Sequence, residues 1–154
     1  MIRKAQLKDI KDINRLLYQV HEIHALSCPD LFKKDAKKYN DEELAQIMQD
    51  SNRPIFVYED NNKVLGYAFC VISNHANSAS LVNYKNLYID DLRVDSSARG
   101  QGIGKKIYEV VLSYAKSINC YNVTLNVWAK NEKALKFYQS IGMDVQKIGM
   151  EKIL

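Results

Sequence analysis

The chain has no apolar run that approaches the ~20 residues of a bilayer span, so no membrane segment or membrane partner is expected. Met1-Ile-Arg-Lys leads into polar residues without an apolar leader core, so a secretory leader is not expected either. Cysteine is sparse and odd in number: Cys28, Cys70 and Cys120 form no C-x-x-C pair. That argues against a disulfide framework and predicts free thiols in a reducing, cytoplasmic setting. Charge of one sign is not concentrated. The net +4 is dispersed, and the one tight run, Lys33, Lys34, Lys37 and Lys38, lacks the interleaved aromatics of a nucleic-acid stripe. It reads as a solvated face, and no nucleic-acid partner is expected.

What is present is the composition of an ordinary globular protein, 47 % apolar over 154 residues, sized for one domain spanning 1–154 with a real core. Ile2 to Ala5 reads as a short strand. Asp9, with Asp12 in a capping-box-like place, opens a helix whose apolar face is Ile10, Ile13, Leu17 and Val20. Cys28-Pro29-Asp30 breaks it, and Asp41 to Asp50 reads as a second helix. Ile55–Glu59 and Val64–Ile72 are strand-like, with Asn61-Asn62 as hairpin turn. Ser73–Ser80 reads as a loop and Asn86–Val94 as a strand. Ile103, Ile107, Val110, Val111 and Tyr114 then mark an amphipathic helix. Val123–Val127 is a buried-type strand. Asn131 caps a short helix closed by Gly142, and Met143–Met150 supplies a closing strand or hairpin. The order β-α-α-β-β-β-α-β-α-β implies a mixed α/β (α+β) sheet with helices on both faces.

The most informative segment runs Val94-Asp-Ser-Ser-Ala-Arg-Gly-Gln-Gly-Ile-Gly-Lys105. A strand ends, three alternating glycines follow, and a helix begins at once. Successive N–H groups of such a turn, with the unpaired donors and positive dipole end of the helix, form an anion cradle. Two nucleotide motifs fail on spacing. Gly104-Lys105 is followed by Lys106 rather than Ser or Thr, so this is no P-loop. The glycines read G-x-G-x-G, and no acidic residue lies between Glu109 and Glu132 to hold a dinucleotide ribose.

Two blocks together carry a family resemblance. The first is Arg99-Gly100-Gln101-Gly102-Ile103-Gly104 after a strand; the second is Asn131, Ala134, Phe137-Tyr138 and Gly142 on the next βα unit. In these blocks, and in element order along the whole chain, the sequence resembles the GNAT-type N-acetyltransferases. The resemblance implies a central, mostly antiparallel six- to seven-stranded mixed sheet and an acetyl-CoA donor. It implies that the glycine turn holds the CoA pyrophosphate through backbone N–H groups, with Arg99 and Lys105 nearby. It also implies that the pantetheine arm pairs with the backbone of Leu92-Arg93-Val94 and that Asn131 contacts CoA, a role compatible with helix capping. A homodimer is compatible with the family.

The implied reaction is direct attack of an amine, on a small molecule or a peptide N-terminus, on the acetyl thioester. An alkyl amine of pKa ~10.4 is only about one part in 2,500 neutral at pH 7, so a base or a desolvating pocket is required. Tyr138 stands at the family's general-acid position for the leaving thiolate; a packing tyrosine is the structural alternative, and Phe137 is expected in the core. For the base, Asp90 and Asp91 compete. Regular alternation puts Asp91 with Ile89 and Arg93, and Asp90 with Leu92 and Val94. Either acts directly or through water, draws a cationic amine, or pairs with Arg93. The acceptor side in this family is the first helix and its following loop, here offering His21, Glu22, His24, Cys28 and Asp30. His24 continues the apolar face and also fits a packed histidine. His21-x-x-His24-x-x-x-Cys28 lacks a fourth ligand, so no metal is expected. The alternative to an enzyme is an acyl-CoA-binding sensor without turnover.

Overall fold

The computed structural model describes residues 1–27, 38–75 and 83–154, with the side chains of residues 20–27 also outside that description. In chain order it contains β1 (Ile2–Lys4), α1 (Ile10–Ser27), α2 (Asp41–Gln49), β2 (Ile55–Asp60), β3 (Lys63–His75) and β4 (Tyr84–Val94). There follow α3 (Ile103–Ser117), β5 (Asn122–Leu125) and α4 (Glu132–Ser140). The sheet order is β1-β2-β3-β4-β5; the first three pairings are antiparallel and β4–β5 is parallel.

Strand alternation splits the interior in two. Phe56, Ala68, Cys70, Leu87 and Ile89 face α3, which supplies Ile103, Ile107, Val111 and Ala115 at helical spacing. On the opposite face Val57, Tyr67 and Phe69 meet Ile13, Leu16 and Leu17 of α1 and Leu44 and Ile47 of α2. Each fully buried aliphatic side chain of this kind contributes about 1.5–3 kcal/mol. Gly66 lets α3 lie this close: a Cβ there would meet Arg93 O and Ile107 Cδ1, both at 2.9 Å. Asn61 and Asn62 take φ of 49° and 60°, the left-handed pair that a two-residue hairpin needs between Asp60 and Lys63.

The sheet has five strands among the described residues, not six to seven. Met143–Met150 forms no strand; Val145, Ile148 and Met150 are 56, 81 and 94 % exposed. Apolar composition proposes a strand, but a strand exists only where a neighbour completes its ladder. Conversely, Ser73–His75 is strand rather than loop, because Asn86, Lys85 and Tyr84 pair with it and His75 stacks on Tyr84 at 4.4 Å. Asp9 does not cap α1. It ends a 3₁₀ turn, Leu7–Asp9, buried against the guanidinium fork of Arg3 at 2.7 and 2.9 Å. Asp12 instead accepts the Val64 N–H at 2.9 Å, pinning α1 to the hairpin.

Candidate functional site

β4 organises the site. It pairs with β3 along its whole length, but with β5 only from Asn86 to Ile89. From Asp90 to Val94 the edge facing β5 has no strand partner among the described residues. The same point carries a bulge. Cys70 lies opposite Ile89 and Phe69 opposite Asp91, so Asp90 is the extra residue. The bulge corrects the alternation expected from the sequence. Ile89, Leu92 and Val94 all lie toward α3. Asp91 and Arg93 lie opposite Phe69 and Tyr67 and share the other face with them.

The two carboxylates are therefore separated in role. Asp90 takes an ion pair from Lys38 Nζ at 2.6 Å and a longer bond from the Tyr39 hydroxyl at 3.3 Å. Of the alternatives weighed for these carboxylates, an ion pair with Arg93 is not formed by either among the described residues, and Lys38, expected on a solvated face, is held by Asp90. Asp91 accepts the hydroxyl of fully buried Tyr67 at 2.6 Å. Burial raises the Asp91 carboxyl above the usual carboxylate range, against the lowering effect of Tyr67, Arg93 and Lys38. Arg93 lies beside this pair with a buried Nε that has no hydrogen-bond partner.

Beyond Val94 the chain enters the glycine turn through Asp95, 3 % exposed. Asp95 accepts the Ser97 N–H and hydroxyl, each at 2.9 Å, and pairs with Arg15 Nη1 of α1, whose Nη2 donates to Val64 O at 2.9 Å. Burial would raise its pKa, but the Ser97 N–H, Arg15 and the Ser97 hydroxyl outweigh it and hold the carboxyl at about 2. Sequence reading passed over Asp95; the signal was the Asp-x-Ser pattern of an Asx turn. Gly100 and Gly102 have φ of 79° and 74°, and a Cβ on either would meet nothing within 4 Å. Gly102 is the N-cap of α3 and brings no capping side chain, so the first-turn N–H groups have no side-chain acceptor. Arg99, Gln101 and Lys105 are exposed around this turn; the Ile103 side chain is 2 % exposed in the core, leaving its backbone to the turn.

α4 closes the other side. Asn131 caps it, accepting the Ala134 N–H at 3.1 Å. Phe137 is half-buried and lies at the start of α3 rather than in the main core: its Cζ would be 3.5 Å from a Cβ on Gly104, beside Val94 and Leu92. Tyr138 is half-buried. Burial, then the charge of nearby Asp91, pushes its hydroxyl up to about 12, with Arg93 opposing. Tyr88, which sequence reading did not single out, receives Asn126 Nδ2 at 3.3 Å and bridges β4 to the chain after β5. The structure thus brings Asp91, Arg93, Tyr138 and the glycine turn to one end of the β4–β5 opening. His21 and His24 lie on α1 with side chains outside the described residues, and Asp30 is outside them altogether, as is Cys28. Two hollows of about 260 and 290 Å³ lie elsewhere, beside α2 and Arg53.

The arrangement is a strand edge without a strand partner among the described residues, a helix start without a capping side chain at its end, and a buried carboxylate with a tyrosine nearby. Comparison with known proteins gives the same direction. Residues 17–143 match the model of the acetyltransferase (GNAT) family. The thialysine N-epsilon-acetyltransferase of Bos taurus is 28 % identical over 92 % of this chain and 82 % of its own. The glucosamine 6-phosphate N-acetyltransferase of Arabidopsis thaliana is 38 % identical over a shorter stretch, 42 % of each chain. The BH1408 protein of Bacillus halodurans, solved as a tetramutant, superposes with a TM-score of 0.95 at 33 % identity over 100 % of this chain and 99 % of its own.

Proposed function

The chain belongs to the acetyltransferase (GNAT) family, and from that premise we propose that it is an acetyl-CoA-dependent N-acetyltransferase for a primary amine, acting as one domain over residues 1–154. The observation that carries this reading is the run of free backbone on β4 that starts at the Asp90 bulge and ends at the uncapped start of α3. The pantetheine amides take the place of a missing strand along Leu92, Arg93 and Val94. The pyrophosphate meets the N–H groups from Gly100 to Gly104, with Arg99 and Lys105 as cations and Gln101 at the rim. Asn131 spends its Oδ1 on the helix cap and keeps an amide donor for the cofactor side.

The thioester end of such a ligand falls near Asp91 and Tyr138. Neutralising an alkyl amine at pH 7 costs about 4.6 kcal/mol. Asp91 meets part of that cost: a carboxylate with raised pKa is a better base, and its charge draws the cationic amine. Asp90, already neutralised by Lys38, is the weaker candidate. The amine nitrogen bonds to the acetyl carbon, the C–S bond breaks, and the amine's proton passes to Asp91 or through water to it. Tyr138 stays protonated at neutral pH and donates to the sulfur as its charge develops. Because the thiol pKa is ~8.5, far below that hydroxyl, Tyr138 acts through a hydrogen bond and the final proton comes from solvent.

The relatives named for thialysine and glucosamine 6-phosphate support a small amine as acceptor; a peptide N-terminus fits the same chemistry. His21, His24 and Asp30 remain the acceptor-side candidates, and the sparse cysteines, with no C-x-x-C pair, fit a cytoplasmic location. Calorimetric titration with acetyl-CoA tests the reading, with binding expected at one site per chain. Absence of binding by acetyl-CoA and by longer acyl-CoAs would overturn it.

A further inference from the structure

The core between the sheet and α1 and α2 is hydrocarbon with one exception. Among its buried side chains only Tyr67 carries a polar atom, and Tyr67 is 0 % exposed. A phenylalanine would fill the same space without the cost of taking a hydroxyl out of water. The hydroxyl is spent on Asp91, donating to Oδ2 at 2.6 Å, the length of a charge-assisted bond.

The bulge makes this contact possible. An unbroken ladder from Cys70 and Ile89 would set Asp91 opposite Ala68, on the α3 face. With Asp90 as the extra residue, Asp91 lies opposite Phe69 and Arg93 opposite Tyr67, so the hydroxyl reaches Asp91 along the diagonal. The Tyr67 ring is held in place: Phe69 meets it edge-on at 4.9 Å, and Phe69 stacks in turn on Tyr39 at 5.7 Å.

Two adjacent carboxylates are thus held by different means. Asp90 is closed by a cation, Lys38. Asp91 is held by a neutral phenol, which stabilises the ionised carboxylate without cancelling its charge. Burial pushes the Asp91 carboxyl up, and the Tyr67 hydroxyl is the leading opposing influence, ahead of Arg93 and Lys38; the Asp90 charge adds to the rise. The remaining titratable neighbour is Tyr138 of α4, whose hydroxyl feels the Asp91 charge. Tyr67 itself stays a donor, because burial and then Asp91 hold its proton far above neutral pH. Asp91 keeps partial exposure, which leaves it within reach of an acceptor.

We propose that Tyr67 is a positioning residue for the reaction: its hydroxyl holds one oxygen of Asp91 and keeps that carboxylate ionised and turned to take the proton of the acceptor amine. This role rests on the reading of Asp91 as the base. Fully buried, Tyr67 meets neither the cofactor nor the amine and acts only through Asp91.

The test titrates the Asp91 carboxyl by ¹³C NMR in the parent protein and in Tyr67→Phe, which keeps the ring and removes the donor. Loss of one bond to a charged acceptor is expected to raise the Asp91 pKa by about 1–2 pH units. The acid limb of kcat/KM, followed with an identified amine, is expected to move up by the same amount. A ring-fluorinated tyrosine at position 67, a stronger donor of nearly the same size, is expected to move both downward. A loss of packing alone would not give opposite signs in the two variants, and the second variant decides the matter if Tyr67→Phe folds poorly. An Asp91 titration that is the same in the parent and the variants overturns the proposal. So does an acid limb that stays in place while the carboxyl titration moves. Calorimetry with acetyl-CoA is expected to be unchanged in both variants. It reads cofactor binding separately, so failure of the Tyr67 role and failure of the acetyltransferase reading give different results.

Discussion

The two halves of β4 obey different rules. From Asn86 to Ile89 the strand has neighbours on both sides, and Asn86 fastens it to β5 by donating to Asn122 Oδ1 at 2.8 Å and Thr124 Oγ1 at 3.0 Å. From Asp90 to Val94 it has one neighbour and one edge without a strand partner among the described residues. A single inserted residue separates the half of the strand that is paired on both sides from the half whose backbone the proposed acetyl-CoA would use. The closed half is expected to answer to stability measurements and the open half to binding and turnover.

The largest effect is expected from the groups beside the open half. Asp91→Asn should lower kcat by about 10²–10⁴-fold, and Tyr138→Phe, through loss of one hydrogen-bond donor to the developing sulfur charge, by about 10²–10³-fold, while acetyl-CoA affinity holds. Steady-state assays with an identified amine, paired with calorimetry, check this; equal turnover in either variant removes that residue from the chemistry. In the parent protein kcat/KM should fall with acidity as Asp91 takes up a proton, at a pH above the ordinary carboxylate range because burial raises its pKa. Asp91→Asn should abolish that acid limb.

Next comes the ligand end of the same half. Gly102→Val places a β-branched side chain at φ 74° and should weaken acetyl-CoA binding by roughly 10- to 100-fold, through backbone strain of about 1–3 kcal/mol at the α3 start. A dissociation constant unchanged by calorimetry would separate the glycine turn from the ligand. Asp95→Ala should instead act on stability, by about 1.5–3 kcal/mol, through loss of charged hydrogen bonds to Ser97 and Arg15. The Asp95 carboxyl is depressed in the folded state, so its contribution is complete above the unfolded value near 3.8. It is lost as pH falls toward about 2. Acid denaturation of Asp95→Asn should lack that component. The smallest effect belongs to the closed half: Asn86→Ala should cost about 1–2 kcal/mol in denaturant unfolding with acetyl-CoA affinity unchanged. A clear loss of affinity there would erase the contrast between the halves.

Much of this was legible before the fold was known. The stripe Ile103, Ile107, Val111 and the glycines at 100, 102 and 104 are local signals, and α3 and its uncapped start followed from them. The hairpin at Asn61-Asn62 and the Asn131 cap were readable for the same reason. The choice between Asp90 and Asp91 was not. Alternation assumes an unbroken strand, and the bulge that breaks it is set by how β3 and β4 pair, which neither strand records alone. Tyr67 was likewise invisible as the partner of Asp91, since the two meet only across the sheet. The Met143–Met150 segment was misread from the opposite cause: its composition suits a strand, but none of the described strands pairs with it.

The sequence by itself determined the glycine turn, the helix that follows, the family blocks around Arg99 and Tyr138, and the two-faced apolar pattern of the sheet. These depend on spacing within one segment, where the 3.6- and 2-residue periods and the φ preferences of glycine and asparagine operate. Only the tertiary structure decided which carboxylate is buried against Tyr67, which is neutralised by Lys38, where β4 parts from β5, and that residues 144–154 stand away from the body. Those outcomes rest on pairing register and burial between distant segments, and burial sets the Asp91 and Tyr138 proton affinities that the proposed chemistry uses.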